Sequence, residues 1–109
     1  MHQAQPAEQP EPAEHVWFSK AFLDVGAERR RQIEAEGFDY QHDDAHNKGE
    51  LAFAGIAYLM AAVNPNAAYA WWPWSLDWFK PGSIRRMLVK AAALIIAEIE
   101  RRDRAEIRP

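Results

Sequence analysis

The spacing of apolar positions predicts three main helices, the first over residues 19–36. Ser19 is a typical N-cap, and Gly37 stands where a left-handed residue ends a helix. We expect Arg29 to lie close to the buried face. That face is predicted by four apolar side chains at helical spacing: Phe18, Phe22, Val25 and Ile33. The other charged side chains predict a solvated surface, unless one of them turns toward a site: Glu28, Arg30, Arg31 and Glu34.

The second predicted helix covers residues 48–63 and has no polar face beyond Glu50, which lies in its first turn. A helix that is apolar all round is buried in its own domain or against another subunit. Because three helices can hardly surround one of their own number, we expect a homo-oligomer. Residues 64–70, with Pro65, predict a turn.

The third predicted helix runs from Ser83, its N-cap, to about Arg102. Arg85 and Arg86 lie in its first turn, where the helix dipole disfavours cations. Glu98 falls on or beside the apolar stripe, where a carboxylate needs a partner such as an Arg of the first helix or a metal. The predicted inward stripe consists of Ile84, Met87, Leu88, Ala91, Leu94 or Ile95, and Ile99.

The stretch before this helix, residues 71–86, is WWPWSLDWFKPGSIRR and holds four of the five tryptophans. Pro73 predicts an irregular segment in which SLDWF forms one helical turn. Aromatic rings beside a positively charged helix N-terminus suit a planar, phosphorylated ligand, and three cations there indicate a bound anion. The predicted ligand-binding residues are Trp71, Trp72, Trp74, Trp78, Lys80, Gly82, Ser83, Arg85 and Arg86. Alternatively, the rings cap the open end of a helical core.

Residues 38–49, FDYQHDDAHNKG, predict a loop rich in imidazole and carboxylate groups, which are ligands of divalent metals. The candidate ligands for Mg²⁺ or Mn²⁺ are His42, Asp43, Asp44, His46 and Glu50. Their spacing matches no established metal motif. The alternative is that the aspartates cap the next helix and the histidines bond to the backbone.

Composition narrows the class of protein. The 109 residues form one domain at most, and a net charge of -3 argues against sequence-specific nucleic-acid binding and membrane-surface binding. The absence of cysteine excludes disulfides and thiolate chemistry. Residues 1–16 predict a disordered lead before a single helical domain over 17–109. With no visible signal peptide or membrane span, we expect a cytoplasmic protein.

From Glu28 onward the chain resembles a family of small proteins encoded by tailed phages and prophages. The segments that carry the resemblance are ERRRQIEAEGF, HDDAHNKGELA, WPWSLDWFKP and RRMLVKAAALIIAEIERRDR. The resemblance implies a product that acts in the host cell, on host defence or on nucleotide pools. In size and helical character the chain also resembles phage sponge proteins, which bind cyclic or ADP-ribose-derived immune signals without cleaving them.

We therefore expect an all-α, oligomeric domain of three principal helices with an irregular Trp-rich loop, which binds a phosphorylated nucleotide and sequesters a host immune signal. The enzyme alternative is metal-dependent hydrolysis, as in the all-α nucleoside-triphosphate pyrophosphohydrolases with their ExxE and ExxD motifs. Glu100 and Asp103 have the ExxD spacing, but no ExxE pair lies at the expected place. The nearest candidates are Glu28, Glu34, Glu50 and Glu98. A third alternative is a protein inhibitor anchored on a host enzyme by its tryptophans.

Overall fold

The computed structural model describes residues 18–107, so the predicted lead over 1–16 lies outside the described residues. Within residues 18–107 the chain is all-α and has no strand. The α-helices are α1 (Lys20–Glu36), α2 (Tyr40–Ala45), α3 (Glu50–Val63), α4 (Pro65–Ala68) and α5 (Ile84–Ile107), and Leu76–Trp78 form a 3₁₀ helix. None of these helices has the length and apolar character needed to cross a membrane.

The capping residues end the helices largely where the sequence predicts. The Ser19 hydroxyl accepts a hydrogen bond of 3.0 Å from the Phe22 amide, and Gly37 ends α1 with a φ of 75°. The Ser83 hydroxyl accepts a bond of 3.1 Å from the Arg86 amide at the start of α5. The end of α5 lies beyond the predicted position, Arg102, because no glycine or proline interrupts the chain before Ile107.

The hydrophobic core lies mainly between α3 and α5, which form the most extensive helix contact. The buried apolar side chains of these two helices are Leu51, Ala54, Ala57 and Tyr58 on α3, and Met87, Ala91, Leu94 and Ala97 on α5. Gly55 faces α5, and a Cβ built there would lie 3.5 Å from the Ala91 carbonyl oxygen. Small side chains therefore bring the two backbones close.

The predicted buried face of α1 is wrong for three of its four apolar side chains, whereas Arg29 is buried as expected. Phe18, Phe22 and Ile33 are exposed, whereas the buried residues of this helix are polar: Glu28, Arg29 and Gln32. Glu28 was expected in solvent, yet only 2% of its surface is exposed. The reason is that α1 packs on the rest of the domain through ion pairs, which bury its charged face in place of its apolar one.

The predicted stripe of α5 is only partly correct. Met87, Ala91 and Leu94 are buried, but the remaining apolar positions of the stripe are exposed: Ile84, Leu88, Ile95 and Ile99. Lys90 and Glu98 are buried instead. Because α5 contacts α1 as well as α3, its buried surface extends over more than one face, and a single apolar stripe does not describe it.

Two segments predicted as loop or turn contain short helices. In residues 38–49, the Asp39 carboxylate accepts a bond of 2.9 Å from the His42 amide and caps α2. In residues 64–70, Pro65 opens α4 at a position where its missing N–H costs nothing. The helical turn predicted within SLDWF is confirmed by the 3₁₀ helix. Together α2 and this turn bring the histidines and the tryptophans to the same end of the domain.

Candidate ligand-binding site

The four clustered tryptophans have different surroundings. Trp72 belongs to the hydrophobic core: it is 8% exposed, its Nε1 donates to the Ser75 carbonyl oxygen at 2.9 Å, and its ring lies edge-on to Tyr58. Trp71 is exposed and stacks on Phe53. Trp74 and Trp78 both line a surface cavity. Of the predicted stacking residues, these last two therefore share a wall that a ligand can reach.

The cavity has a volume of about 330 Å³ and lies between the end of α1, helix α2 and the tryptophan segment. This volume is within the range of small-molecule sites, at its lower end. Most of the accessible lining is apolar. The lining residues are Glu36, Phe38, His42, His46, Trp74, Ser75 and Trp78.

Aromatic rings pack against each other along one wall of the cavity. Phe38 and His42 stack nearly parallel, with centroids 4.4 Å apart and 9° between their planes. The His46 ring lies 4.4 Å from that of His42 and meets the Trp74 ring edge-on at 5.2 Å. Since each ring is held by its neighbours, the wall is preformed and loses little side-chain freedom when a ligand binds.

Hydrogen bonds at Nδ1 fix the orientation of both histidine rings. His42 Nδ1 lies 2.8 Å from Oδ1 of Asp43, whose Oδ2 accepts a bond of 2.7 Å from the Arg29 guanidinium. His46 Nδ1 lies 2.8 Å from the His42 carbonyl oxygen. Asp43 is fully buried, and its negative charge is balanced by the neighbouring Arg29. Arg29 also donates to the Phe38 carbonyl oxygen. The alternative that these histidines bond to the backbone thus describes His46.

The structure does not bring the five predicted metal ligands together. Among residues 18–107, no group of three or more His, Asp or Glu side chains is arranged to hold a metal ion. Asp43 pairs with Arg29, Asp44 pairs with Arg104 at 2.9 Å, and Glu50 accepts a bond of 2.7 Å from the Lys48 amide. Each of these three carboxylates is therefore already paired with a cation or a backbone amide of the protein.

Two of the three predicted phosphate-binding cations lie in a different cavity from Trp74 and Trp78. Arg85 and Arg86 line a hollow of about 230 Å³ together with Ser83 and Asp24. Arg85 pairs with Asp24 at 2.8 Å. Hydrogen bonds from Lys20 and Arg85 lower the pKa of Asp24. We expected a bound anion to balance the positive charge of the two arginines. Carboxylates of α1 balance it instead.

Arg86 forms its ion pair with Glu28, which also accepts bonds of 2.9 Å from Nε and Nη2 of Arg31. Burial by itself raises the pKa of Glu28, but the hydrogen bonds and charges of Arg31 and Arg86 outweigh it, and the net shift is downward. Gly82, the next residue of the predicted phosphate cradle, donates its amide to Sδ of Met87 at 3.3 Å. Arg85 and Arg86 thus join α5 to α1, and the Gly82 amide has its partner on α5.

Lys80 lies beside one wall of the aromatic cavity. Its Nζ is 5.9 Å from the centroid of the Trp78 ring, and Trp78 lines the cavity. Its backbone is fixed on both sides, since its amide donates to the Tyr58 hydroxyl and its carbonyl oxygen accepts from Lys90 Nζ. Lys80 therefore places a positive charge on a rigid segment at the edge of the site.

Glu98 has the partners that a carboxylate at this position needs, and they lie on its own helix and not on the first one. Arg101 donates to both carboxylate oxygens, at 2.8 and 2.9 Å, and Arg102 donates to one of them at 2.7 Å. These bonds, that from Arg101 first, lower the pKa of Glu98. Spacings of three and four residues on α5 put these partners within reach.

Three lining residues were absent from the predicted site: Glu36, Phe38 and Ser75. Phe38 had a signal in the sequence. It directly follows Gly37, and its amide bonds to the Gln32 carbonyl oxygen at 2.9 Å. A glycine cap followed by an apolar residue is the pattern that turns this side chain back toward its own helix.

Comparison with protein-family models, curated proteins and solved structures gives no match to this chain.

Proposed function

We propose that the protein binds a planar, nucleotide-type ligand in the cavity walled by Trp74, Trp78, His42, His46 and Phe38. The observation that carries this proposal is the preformed aromatic wall beside a cavity of about 330 Å³. A flat heterocycle gains from such a wall because base-to-aromatic stacking contributes roughly 1–3 kcal/mol per base. Trp78 has 53% of its surface exposed, so it can cover a ligand without first leaving a packed position.

The phosphate of the ligand points toward Lys80 in this proposal. Arg85 and Arg86 are committed to Asp24 and Glu28 and are no longer part of the proposed contacts. No Lys or Arg is among the seven lining residues, while Glu36 is one of them. Glu36 is itself paired with Arg31 at 2.9 Å. Since the lining offers a phosphate no cation, the heterocycle occupies the cavity and the phosphate stays at its rim.

The biological role that we propose is sequestration of a nucleotide-type immune signal of the host. It rests on the resemblance of the sequence to phage proteins and on a site built for stacking. The hydrolase alternative requires a metal centre, and residues 18–107 present no group of three metal-binding side chains. Protein purified from its host should release an unchanged nucleotide, detected by mass spectrometry after denaturation.

Titration of Trp fluorescence with a panel of nucleotides tests binding directly. Trp78→Ala should raise the Kd by about 5- to 100-fold, from the loss of one stacking partner. Trp71→Ala is the matched control, because Trp71 is also exposed but stacks on Phe53 away from the cavity. Lys80→Met should weaken the binding of nucleotides and leave the binding of nucleosides unaffected. Equal effects of the two Trp variants, or capture of a host protein with no nucleotide bound, would contradict the proposal and favour an inhibitor.

We also propose that the chain self-associates through α3 and α5. An apolar groove of about 260 Å³ runs between them, with Gly55 and Ile56 on one side and Ile95 and Ile99 on the other. Leu59, Ile95 and Ile99 are exposed along it. A second copy of the same chain would bury these side chains, as expected for a helix without a polar face.

A further inference from the structure

The inner nitrogens of both cavity histidines face hydrogen-bond acceptors. His42 Nδ1 meets a carboxylate oxygen of Asp43, and His46 Nδ1 meets the carbonyl oxygen of His42, each at 2.8 Å. A carbonyl oxygen only accepts, and the Asp43 carboxylate already accepts from Arg29. Each Nδ1 must therefore carry the hydrogen, and the partner of the ring decides its tautomer.

In a neutral imidazole with Nδ1–H, the other nitrogen, Nε2, carries a lone pair and acts as an acceptor. Both rings line the same cavity, and the stacked Phe38 covers one face of His42. When both imidazoles are neutral, the cavity thus presents two acceptors of fixed tautomer, one from α2 and one from the residue that ends it. Glu36 adds acceptor oxygens to the lining, and none of the lining residues is a cation.

The spacing of the rings suits one donor group that supplies two hydrogens. An amino group on a planar ring directs its two N–H bonds about 120° apart, and N–H···N bonds of about 3 Å would then place two acceptors about 5 Å from each other. The His42 and His46 ring centroids are 4.4 Å apart, so the two rings are close enough to each other for one amino group to contact both. A ring carbonyl at the same position would instead bring oxygen lone pairs against nitrogen lone pairs.

We propose that His42 and His46 select ligands whose planar ring bears an exocyclic amino group, as in adenine and cytosine, against their oxo counterparts. This inference rests on the proposed function, because it requires that the heterocycle stack between the aromatic side chains. The two histidines act as specificity-determining residues, and Asp43 and Arg29 act as positioning residues behind them. Each amino hydrogen is donated to one Nε2.

Matched nucleotide pairs test the selection. Adenosine 5′-monophosphate is compared with inosine 5′-monophosphate, and cytidine 5′-monophosphate with uridine 5′-monophosphate, by isothermal titration calorimetry. Two hydrogen bonds predict a preference of about 10- to 30-fold for the amino member of each pair. Equal affinity, or preference for the oxo member, overturns the inference while leaving the proposed function intact. If none of the four binds, the proposed function fails, and this inference fails with it.

Substitution by Asn separates selection from folding. In His42→Asn and His46→Asn the amide nitrogen can replace Nδ1 toward Asp43 or the His42 carbonyl, but the outer acceptor is removed. Both variants should keep the thermal midpoint of the wild type within a few degrees and lose the preference between amino and oxo ligands. A preference that survives in both variants contradicts the assignment.

Nuclear magnetic resonance of ¹⁵N-labelled protein gives a second, ligand-free test. Long-range proton–nitrogen correlations should identify both rings as the Nδ1–H tautomer, with the characteristic shift of an unprotonated Nε2. His42 and His46 are assigned by comparison with the two Asn variants. An Nε2–H tautomer or an imidazolium at either residue near neutral pH overturns the inference, since no acceptor would then face the cavity.

Discussion

The Arg29 guanidinium of α1 donates to Oδ2 of Asp43 in α2 across 2.7 Å, and the aspartate has no exposed surface. The same arginine donates to the Phe38 carbonyl oxygen and pairs with Glu100 of α5. One side chain thus joins α1, α2 and α5 and supports Asp43, which positions His42. The geometry of the aromatic wall and the stability of the domain depend on the same buried charge.

Removal of one member of this pair should destabilise the protein strongly. Asp43→Ala leaves a buried guanidinium without its closest partner, and we expect a loss of about 3–5 kcal/mol in the free energy of unfolding. Chemical denaturation followed by circular dichroism measures it. The double variant Arg29→Met/Asp43→Leu should lose less than Asp43→Ala, because it leaves no unpaired buried charge.

Arg85→Ala is the control for this prediction. Its ion pair with Asp24 is exposed, and such pairs contribute about 0–1 kcal/mol. If Asp43→Ala lowers the free energy of unfolding no more than Arg85→Ala does, the buried pair of Arg29 and Asp43 does not stabilise the domain in the way we infer.

Acid should weaken the contact between α1 and α5 through Glu28. The charges of Arg31 and Arg86 hold the pKa of Glu28 below its ordinary value near 4.5, even though burial alone would raise it. A carboxylate with a depressed pKa in the folded state stabilises the fold fully above its unfolded pKa, and this stabilisation is lost as the pH falls through the folded pKa. Stability should therefore decline below about pH 4.5.

Comparison with Glu28→Gln isolates this effect. At pH 7 the variant should be less stable by about 1–3 kcal/mol, because hydrogen bonds to a charged group are lost. The difference from wild type should shrink as the pH is lowered below 4.5, measured as free energy of unfolding in urea. Glu34→Gln, at an exposed position of the same helix, should show no such convergence. A constant difference at all pH values would contradict the assigned role.

Local signals predicted more of the fold than apolar periodicity did. Ser19, Gly37 and Ser83 act through bonds to nearby backbone, so their roles can be predicted from a few neighbouring residues. The buried face of α1 could not be predicted in this way. Whether Glu28 is buried depends on Arg86, which is distant in sequence, and hydrophobic spacing contains no information about such a pair.

The candidate site was likewise predictable only where local sequence determines it. The sequence indicated Trp74, Trp78, His42 and His46 as binding residues, but it assigned the tryptophans and the histidines to separate sites. Only the packing of α2 against the tryptophan segment places the four side chains around one cavity. The charges of Arg85 and Arg86 were interpreted as an anion site because their partners on α1 could not be predicted from local sequence.

Substitution by Ala at two glycines should change the stability of the protein in opposite directions. Gly26 lies inside α1, and a Cβ there meets nothing within 4 Å. Gly26→Ala should therefore stabilise the protein by about 0.5–1 kcal/mol, since Ala favours a helix. Gly37 has a φ of 75°, and Gly37→Ala should destabilise by about 1–2 kcal/mol because a Cβ is strained in the left-handed region. Thermal unfolding measures both, and a shift of the same sign for both would contradict the conformational argument.

Self-association through the groove between α3 and α5 predicts sensitivity to one added charge. Ile95→Glu places a carboxylate at an exposed apolar position beside Gly55, whose missing side chain lets Ile95 Cγ1 lie close to the α3 backbone. Sedimentation velocity should show an oligomer for the wild type and a monomer for Ile95→Glu, because a charge cannot be buried without a partner. Leu23→Glu, at an exposed position of α1 outside the groove, should leave the oligomer intact. A wild-type protein that stays monomeric at all concentrations would leave the exposed side chains of α3 and α5 to a different partner.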